Sequence, residues 1–341
     1  MGVTNSAAGT NSQVVNLAVL PQPLFANLTN DLVLHLKFDG NYLDASGRNN
    51  NGTAQGTLPG PTFVPGKIGN NAVHVDSEAD LTVPGSPLCT NANYVTLGNP
   101  ADLQFGTDTN FTLAYWVKMP VGEIYTEFPV LCNSGGGTFS PGMYFGTDWN
   151  SGGEGGGAAW WISSPGKHLA TTTCLTGPYL INDGNWHHML VSFDRAGFAV
   201  TYLDGVPVDS TSIIGGGDMD QPGNTFNIGQ DTTGTYPWFG IAGPKAECVI
   251  DDLGIWRRAL SLTEAQSVYI VGQNYGRSFD AYGPVQITLK RTSTGLELIW
   301  QSGTLESADD LQGAWTPVTG ASAPYHALTP AAGRKFYRVK L

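Results

Sequence analysis

Four stretches decide the fold: Ile-Asn-Asp-Gly-Asn-Trp-His-His-Met-Leu-Val-Ser-Phe-Asp-Arg (181–195), Val-Thr-Tyr-Leu-Asp-Gly-Val-Pro-Val (200–208), Phe-Asn-Ile-Gly (226–229) and Val-Ile-Asp-Asp-Leu-Gly-Ile-Trp-Arg-Arg-Ala-Leu-Ser (249–261). Each alternates apolar and polar side chains over a short run, and Gly, Asn and Asp separate the runs. A period of two sends one set of side chains to a core and the other to the opposite face. Turn residues at short spacing return the chain antiparallel. No hydrolytic constellation is woven into these stretches, so function has to be sought in loops.

Outward from them the same grammar continues. Strands are expected at 31–39, 72–75, 94–97, 111–117, 129–131, 143–145, 158–162, 189–194, 199–203, 226–228 and 249–256. Their number and turn content predict an all-β, antiparallel jelly-roll β-sandwich. One short helix is expected after Ser261, where Ser-Leu-Thr-Glu is a capping box and Leu262, Ala265, Val268 and Tyr269 form an apolar face. The 45 Gly and 21 Pro residues argue against long helices. The Gly-rich runs at 133–137, 151–157 and 215–218 lead into no helix bearing Lys-Ser/Thr, so they are inter-strand loops rather than phosphate cradles.

The organisation reads as five segments. Residues 1–20 form a β-hairpin, 21–30 a Pro-containing linker, 31–276 the sandwich, 277–284 a second linker, and 285–341 a small β-module. Trp300, Trp315, Phe336 and Tyr337 are the candidate core of that module. A hairpin with an open edge could accept a strand from a partner protein or from another copy of the chain. The start carries neither a basic n-region nor an apolar h-region, and the chain is expected to be a piece of a longer exported protein, extracellular or at the cell surface. No apolar run approaches the length of a transmembrane helix. A net charge of −12 excludes a phosphate-backbone partner, so no nucleic acid is expected, and it suits divalent cations and neutral glycans.

From about Leu32 to Tyr269 the chain resembles the laminin-G-like, concanavalin A-like lectin jelly-roll domains of bacteria. The matching pieces are Leu-Lys-Phe-Asp-Gly-Asn (36–41), Asp-Ala-Ser-Gly (44–47), Phe-Thr-Leu-Ala-Tyr-Trp-Val-Lys (111–118), Asp-Gly-Asn-Trp-His-His (183–188) and the stretches quoted above. The first 17 or so residues resemble the last two strands of a bacterial immunoglobulin-like domain. Leu-Glu-Ser-Ala-Asp-Asp-Leu (305–311) with Lys-Phe-Tyr-Arg-Val (335–339) resembles terminal modules of large bacterial surface proteins. The jelly-roll resemblance implies non-catalytic work: carbohydrate binding, cell adhesion or passive spacing. It also implies a structural calcium ion near the rim.

The residues supply candidates for each. For calcium, Asp39, Asn41 and Asp44 fall in one Gly-containing loop, and Asp251 and Asp252 lie on the strand that the resemblance pairs with the first strand. Only one of two adjacent strand residues can look inward, and that carboxylate needs a cation or hydrogen-bond donors; Asp76 is a weaker candidate. For a sugar, aromatic platforms and planar polar groups are needed, and Trp149, Trp160 or Trp161 with Asn133 and Asp148 are the expected set. Tyr125, Tyr236 and Trp238 are further exposed candidates, and Trp116, Trp186 and Trp256 are assigned to the core. The four cysteines allow three pairings, of which a Cys132–Cys174 disulfide with Cys89–Cys248 is preferred over buried thiols. His187-His188 reads as a polar start to a strand. Glycosidase carboxylates spaced along one strand face and a Gly-x-Ser-x-Gly elbow are absent, so no enzyme is expected. The competing reading is a structural spacer or self-assembling scaffold with no glycan ligand.

Overall fold

The computed structural model describes residues 28–57, 59–79, 89–121, 128–135, 140–148, 156–171, 180–235, 245–281, 287–292, 295–300, 304–322, 325–328 and 335–340. The hairpin expected at 1–20 lies outside them. The chain divides into two compact units, Leu28–Ala281 and a second that includes residues from 287 onward.

The first unit contains β1 (Leu32–Leu36), β2 (Thr53–Gly56), β3 (Thr62–Pro65), β4 (Asn71–Ala79), β5 (Cys89–Gly98), β6 (Phe111–Lys118), β7 (Phe128–Cys132) and β8 (Gly142–Asp148). It continues with β9 (Gly157–Ser164), β10 (Lys167–Ala170), β11 (Trp186–Phe193), β12 (Phe198–Leu203), β13 (Val206–Ser212), β14 (Phe226–Ile228) and β15 (Lys245–Trp256). Hydrogen bonding runs in the order β10-β9-β8-β7-β14-β5-β4-β15-β6-β11-β12-β13, with β1 on β15, β2 on β5 and β3 on β4. All these pairings are antiparallel.

This path folds over on itself to enclose one core. Phe145 on β8 and Trp160 on β9 meet Phe193 on β11 edge-to-face, with centroids 5.9 and 4.9 Å apart. Phe193 in turn stacks on Phe111, and Phe111 on Phe105. Trp160 is fully buried, and its indole N–H donates to Thr201 Oγ1 at 2.9 Å. Trp160 is therefore core, not a sugar platform, because the β9 alternation turns it inward against β11 and β12. Trp116 and Trp256 are buried as expected, whereas Trp186 is only half-buried at the start of β11.

β6 is buried over seven of its eight residues, which a half-exposed strand would not be. Helix α1 (Leu262–Tyr275) provides the second cover. Ser261 and Glu264 form the capping box, and Gly276 closes the helix in the left-handed region at φ 60°. Its buried residues include Ala265, Val268, Val271 and Gly272. Leu262 is 50% exposed, so the apolar face starts later than its periodicity implied. The helix approaches the sheet closely near its far end: a Cβ on Gly272 would lie 2.7 Å from the Trp116 ring. Gly272→Ala should therefore lower stability by about 1–3 kcal/mol, although alanine is the better helix former. A urea midpoint that stays level or rises would contradict this packing.

Several strands escaped the sequence reading. β13 contains Pro207 and pairs with β12 through a register shift; proline suits an edge strand. β2, β3 and β10 are four residues each, too short to show a period. In the second unit, β16 (Thr288–Arg291), β17 (Leu296–Ile299) and β20 (Tyr325–Leu328) form one sheet. β18 (Thr304–Ala308), β19 (Thr316–Pro317) and β21 (Phe336–Lys340) form another. Its core is Leu298, Trp300 and Leu305. Trp315 lies instead beneath the Arg338 guanidinium, 4.5 Å from the ring centroid.

Candidate functional site

The outer face of the β10–β5 half carries a row fixed by strand register. Trp161 pairs with Tyr144, Tyr144 with Cys132, Cys132 with Asn227, and Asn227 with Thr96. Paired residues share a face, and the alternate residues Trp160, Phe145, Leu131 and Ile228 lie in the core. The row therefore points away from it. Trp161 and Tyr144 stack in parallel planes with centroids 3.6 Å apart. The Trp161 ring is half-buried. His168 lies beside it at 6.2 Å, and its Nδ1 is 2.8 Å from Ser163 Oγ. Tyr144 is pinned by donating its hydroxyl to the Thr147 carbonyl at 2.6 Å.

The other end of the row is polar. Asn227 Nδ2 donates to the Asp231 carbonyl at 2.7 Å. Asp231 Oδ1 accepts from the Thr233 hydroxyl and amide and from the Gly234 amide. Burial pushes the Asp231 carboxyl up, against these hydrogen bonds. Asn227 Oδ1 and Asp231 Oδ2 are buried with no hydrogen-bond partner. Asn133, at the end of β7, accepts from the Met143 amide at 2.7 Å, and its Nδ2 is buried without a partner. Of the sugar candidates, Trp161 thus stands on the outer face and Trp160 does not. Asn133 follows β7, two strands from the one that carries Trp161. Trp149, Tyr125, Tyr236 and Trp238 lie outside the described residues, as does the side chain of Asp148.

The calcium candidates do not converge. Asp44 uses Oδ1 for the His35 and Ser46 amides and Oδ2 for the Ser46 hydroxyl and Asn50 amide. Asp39 Oδ1 takes the amides of Asn70 and Asn71, and Asn41 Oδ1 takes that of Leu43. Asp76 is hydrogen-bonded to Asn93. Among the described residues no group of three or more His, Cys, Asp or Glu side chains is placed to hold a metal, and calcium needs six to eight oxygens. Asp39, Asn41, Asp44, Asp251 and Asp252 thus do not fit a shared calcium ion. The loop carboxylates act as turn anchors, Asp44 accepting on both oxygens and Asp39 on Oδ1.

Asp251 and Asp252 diverge at a bulge, between Asp251 and Gly254 in the β15–β6 register, with Asp252 at φ 44°. Both are buried, in different places. Asp251, opposite Trp116, accepts the Lys67 and Ile68 amides at 2.8 and 2.9 Å on Oδ2, while Oδ1 has no partner. Burial first, and the neighbouring Asp252 charge, push its pKa up to about 8. Asp252 Oδ1 accepts from His35 Nε2 at 2.7 Å and from Ser278 Oγ at 2.6 Å. Asp280 Oδ2 sits 3.5 Å from His35 Nδ1 and 2.7 Å from Lys37 Nζ. Burial acts to lower the His35 pKa, but its hydrogen bond to Asp252 and the two carboxylate charges outweigh that and raise it to about 9.

Ser278, His35 and Asp280 have the outline of a nucleophile triad that sequence reading did not find. The chemistry does not follow. A pKa of about 9 favours protonated His35 at neutral pH over a general base, and the Ser278 hydroxyl donates its hydrogen bond to Asp252 rather than to an imidazole base. The cluster is a buried tie between β1, β15 and the segment after α1. His187 and His188, by contrast, fall on opposite faces. His187 meets Asp183 and Asp204. His188 is buried beside Trp116, where desolvation lowers its pKa to about 4.

No disulfide links described residues. Cys132 and Cys248 are buried, and Cys174 lies outside the description, as any Cys132–Cys174 bond therefore does. Register excludes Cys89–Cys248. Cys89 pairs with Ala79 and Cys248 with Val75, on strands either side of β4. Two strand spacings and four residues of rise put the Cα atoms ~16 Å apart, against about 7 Å at most for a disulfide.

Comparison with known proteins bears on the fold. No curated protein matches the sequence. Among solved structures, the binding domain of Paraclostridial Mosquitocidal Protein 1 is 15% identical, with 90% of this chain and 72% of that chain covered at a TM-score of 0.54. The botulinum neurotoxin serotype G binding domain is 14% identical, covering 91% and 65%, at 0.50. A botulinum neurotoxin type C structure, whose uptake into cells is dependent upon two ganglioside molecules, is 12% identical, covering 83% and 58%, at 0.51. At these identities the likeness is one of fold. A family model described as the concanavalin A-like lectin/glucanases superfamily matches residues 90–266. That match spans just over half of the sequence and contains β6 to β15 of the sandwich, so the chain belongs to this superfamily, as a laminin-G-like jelly roll.

Proposed function

We propose that this chain is a non-catalytic carbohydrate-binding module of an exported, multidomain bacterial protein, acting at the cell surface or outside the cell. The observation that carries the reading is the Trp161–Tyr144 stack on the outer sheet face, half-exposed at Trp161 and flanked by His168. A rigid aromatic face held by a second ring offers stacking area at low entropic cost. Support comes also from the fold relatives, which are binding domains, one with ganglioside partners. A protein receptor remains the second kind of partner for such a face. No helix among the described residues is long and apolar enough to cross a membrane.

The test is a glycan array probed with the full chain, with millimolar calcium and with EDTA. Binding to a defined set of glycans is expected, unchanged by EDTA. The melting midpoint should likewise be level across the calcium series, because among the described residues the candidate carboxylates do not converge on one point. Silence across the array from a folded, monodisperse protein would favour the spacer reading.

A further inference from the structure

His187 stands at the entry to β11 with both ring nitrogens on carboxylates. Nδ1 is 2.9 Å from Asp204 Oδ2, and Nε2 is 3.1 Å from Asp183 Oδ1. A neutral imidazole carries one N–H and can donate to only one of them; two such contacts require the imidazolium, which carries two. The two partners belong to different pieces of chain. Asp183 lies in the loop before β11. Asp204 and Gly205, at φ 50° and 75°, make the two-residue turn between β12 and β13. That turn is fixed without His187. The Asp204 amide donates to the His188 carbonyl, and Asp204 Oδ1 accepts the His188 amide. The Tyr269 ring of α1 closes on Gly205, 2.5 Å from where a Cβ would stand. Asp183 is anchored less firmly. Its side chain is 45% exposed, and among the described residues its other partner is Asn185, in the same loop. The loop itself hangs on single backbone bonds, Gly184 to the Met119 carbonyl and Ile181 to the Gly156 carbonyl, with Leu180 bridged to Gly157 at the start of β9. Among the described residues the charged groups placed against the His187 ring are these two carboxylates. Val117, opposite it on β6, brings none.

We propose that His187 is a proton-operated latch: as the imidazolium it holds segment 180–185 against the β12–β13 turn, and as the neutral ring it lets the segment go. Loss of one proton leaves the N–H of Nδ1 on Asp204, the shorter contact, and turns the Nε2 lone pair toward the Asp183 carboxylate. Two acceptors then face each other, and the exposed loop carboxylate is the one able to leave. The hydrogen bond to Asp204 is the largest influence on His187; with the contact to Asp183 it outweighs burial and raises the pKa above 6.5. Burial pushes both carboxyls up, but hydrogen bonds, those of His187 included, hold them below 3.8. A pKa raised in the folded state means that the tie is complete below pH 6.5 and is lost as pH climbs through the raised value. The latch is closed in mildly acid surroundings and opens on the alkaline side. The segment it frees adjoins the start of β9, the strand that carries Trp161.

Hydrogen exchange read by mass spectrometry on the full chain tests this, comparing the parent with Asp183→Asn at pH 6 and at pH 9. At pH 6 the parent should protect residues 180–186 about two- to fivefold better than the variant, the size of a partly exposed ion pair. At pH 9 that gap should vanish or reverse, since asparagine can donate to the neutral ring. Residues 189–193 should exchange alike in both proteins at each pH, which separates the latch from any change in global stability. His187→Gln should reproduce Asp183→Asn at pH 6, and its missing signal assigns the His187 ring in carbon-13 spectra of histidine-labelled protein. That ring should titrate above pH 6.5 in the parent and lower in Asp183→Asn. A protection gap that is absent at pH 6, or equal at both pH values, overturns the inference. So does a parent His187 that titrates at or below pH 6.5, whatever the variants do.

Discussion

Replacing His35 by Ala is expected to lower stability by about 3–5 kcal/mol at neutral pH. The imidazolium is the counter-ion of the buried Asp252 carboxylate and lies beside Asp280. Its removal leaves a buried anion with only the Ser278 hydroxyl. The loss should depend on pH in a set direction. The folded-state pKa of His35 is raised from 6.5 to about 9, so its contribution is complete below pH 6.5 and fades as pH rises through about 9. Chemical denaturation of parent and variant should therefore show a wide gap at pH 6 that narrows by pH 9.5. An equal gap at both would mean that His35 contributes only its packing against Phe279, 4.3 Å away.

Asp251→Asn should act in the opposite sense. The carboxyl accepts two backbone amides on one oxygen, and its other oxygen is buried unpaired. Its pKa is raised from 3.8 to about 8. A carboxyl that holds its proton more tightly folded than unfolded weakens the fold progressively from pH 3.8 to about 8, and fully above that. Asparagine retains an oxygen for the Lys67 and Ile68 amides and never ionises. The variant should match the parent near pH 4 and exceed it at pH 8.5 by a few kcal/mol at most, a ceiling of roughly 1.4 kcal/mol per pH unit traversed. Melting curves across pH provide the measurement. Destabilisation at every pH would show that the ionised carboxylate is used, as a bound cation would use it. Both effects make the parent lose stability on the alkaline side of neutrality.

The sandwich was legible because period-two alternation is a local signal. Phe111–Lys118 and Trp186–Phe193 announce themselves as short apolar runs between turn residues, and the capping box at Ser261 marks the helix. What escaped was set by distant pairing. The Phe-Asn-Ile-Gly motif marks a strand, yet nothing in it says that Asn227 will stand in line with Tyr144 and Trp161 from other strands. Trp160 and Trp161 were separable in principle, since one had to face inward, but choosing which required the register against Phe145 and Tyr144. Alternation implied that only one of Asp251 and Asp252 looks inward, yet both are buried. The bulge that buries both could not be foreseen, because Asp252 adopts a left-handed backbone that non-glycine residues seldom take. The loop carboxylates were ambiguous for a related reason: Asp39 and Asp44 look like cation ligands in sequence, and the same oxygens serve equally to accept turn amides.

The central claim is that the outer face carrying Trp161 is a ligand surface. It is tested most directly by isothermal titration of one array-identified glycan into the parent chain and into Trp161→Ala. Trp161 is half-buried and stacks on Tyr144 outside the core, so the variant should fold with a melting midpoint close to the parent. Its affinity should fall by about tenfold or more, the size expected when a stacking ring of roughly 1–3 kcal/mol is removed. A Trp161→Ala protein that binds the glycan as tightly as the parent would place the ligand elsewhere and contradict the account.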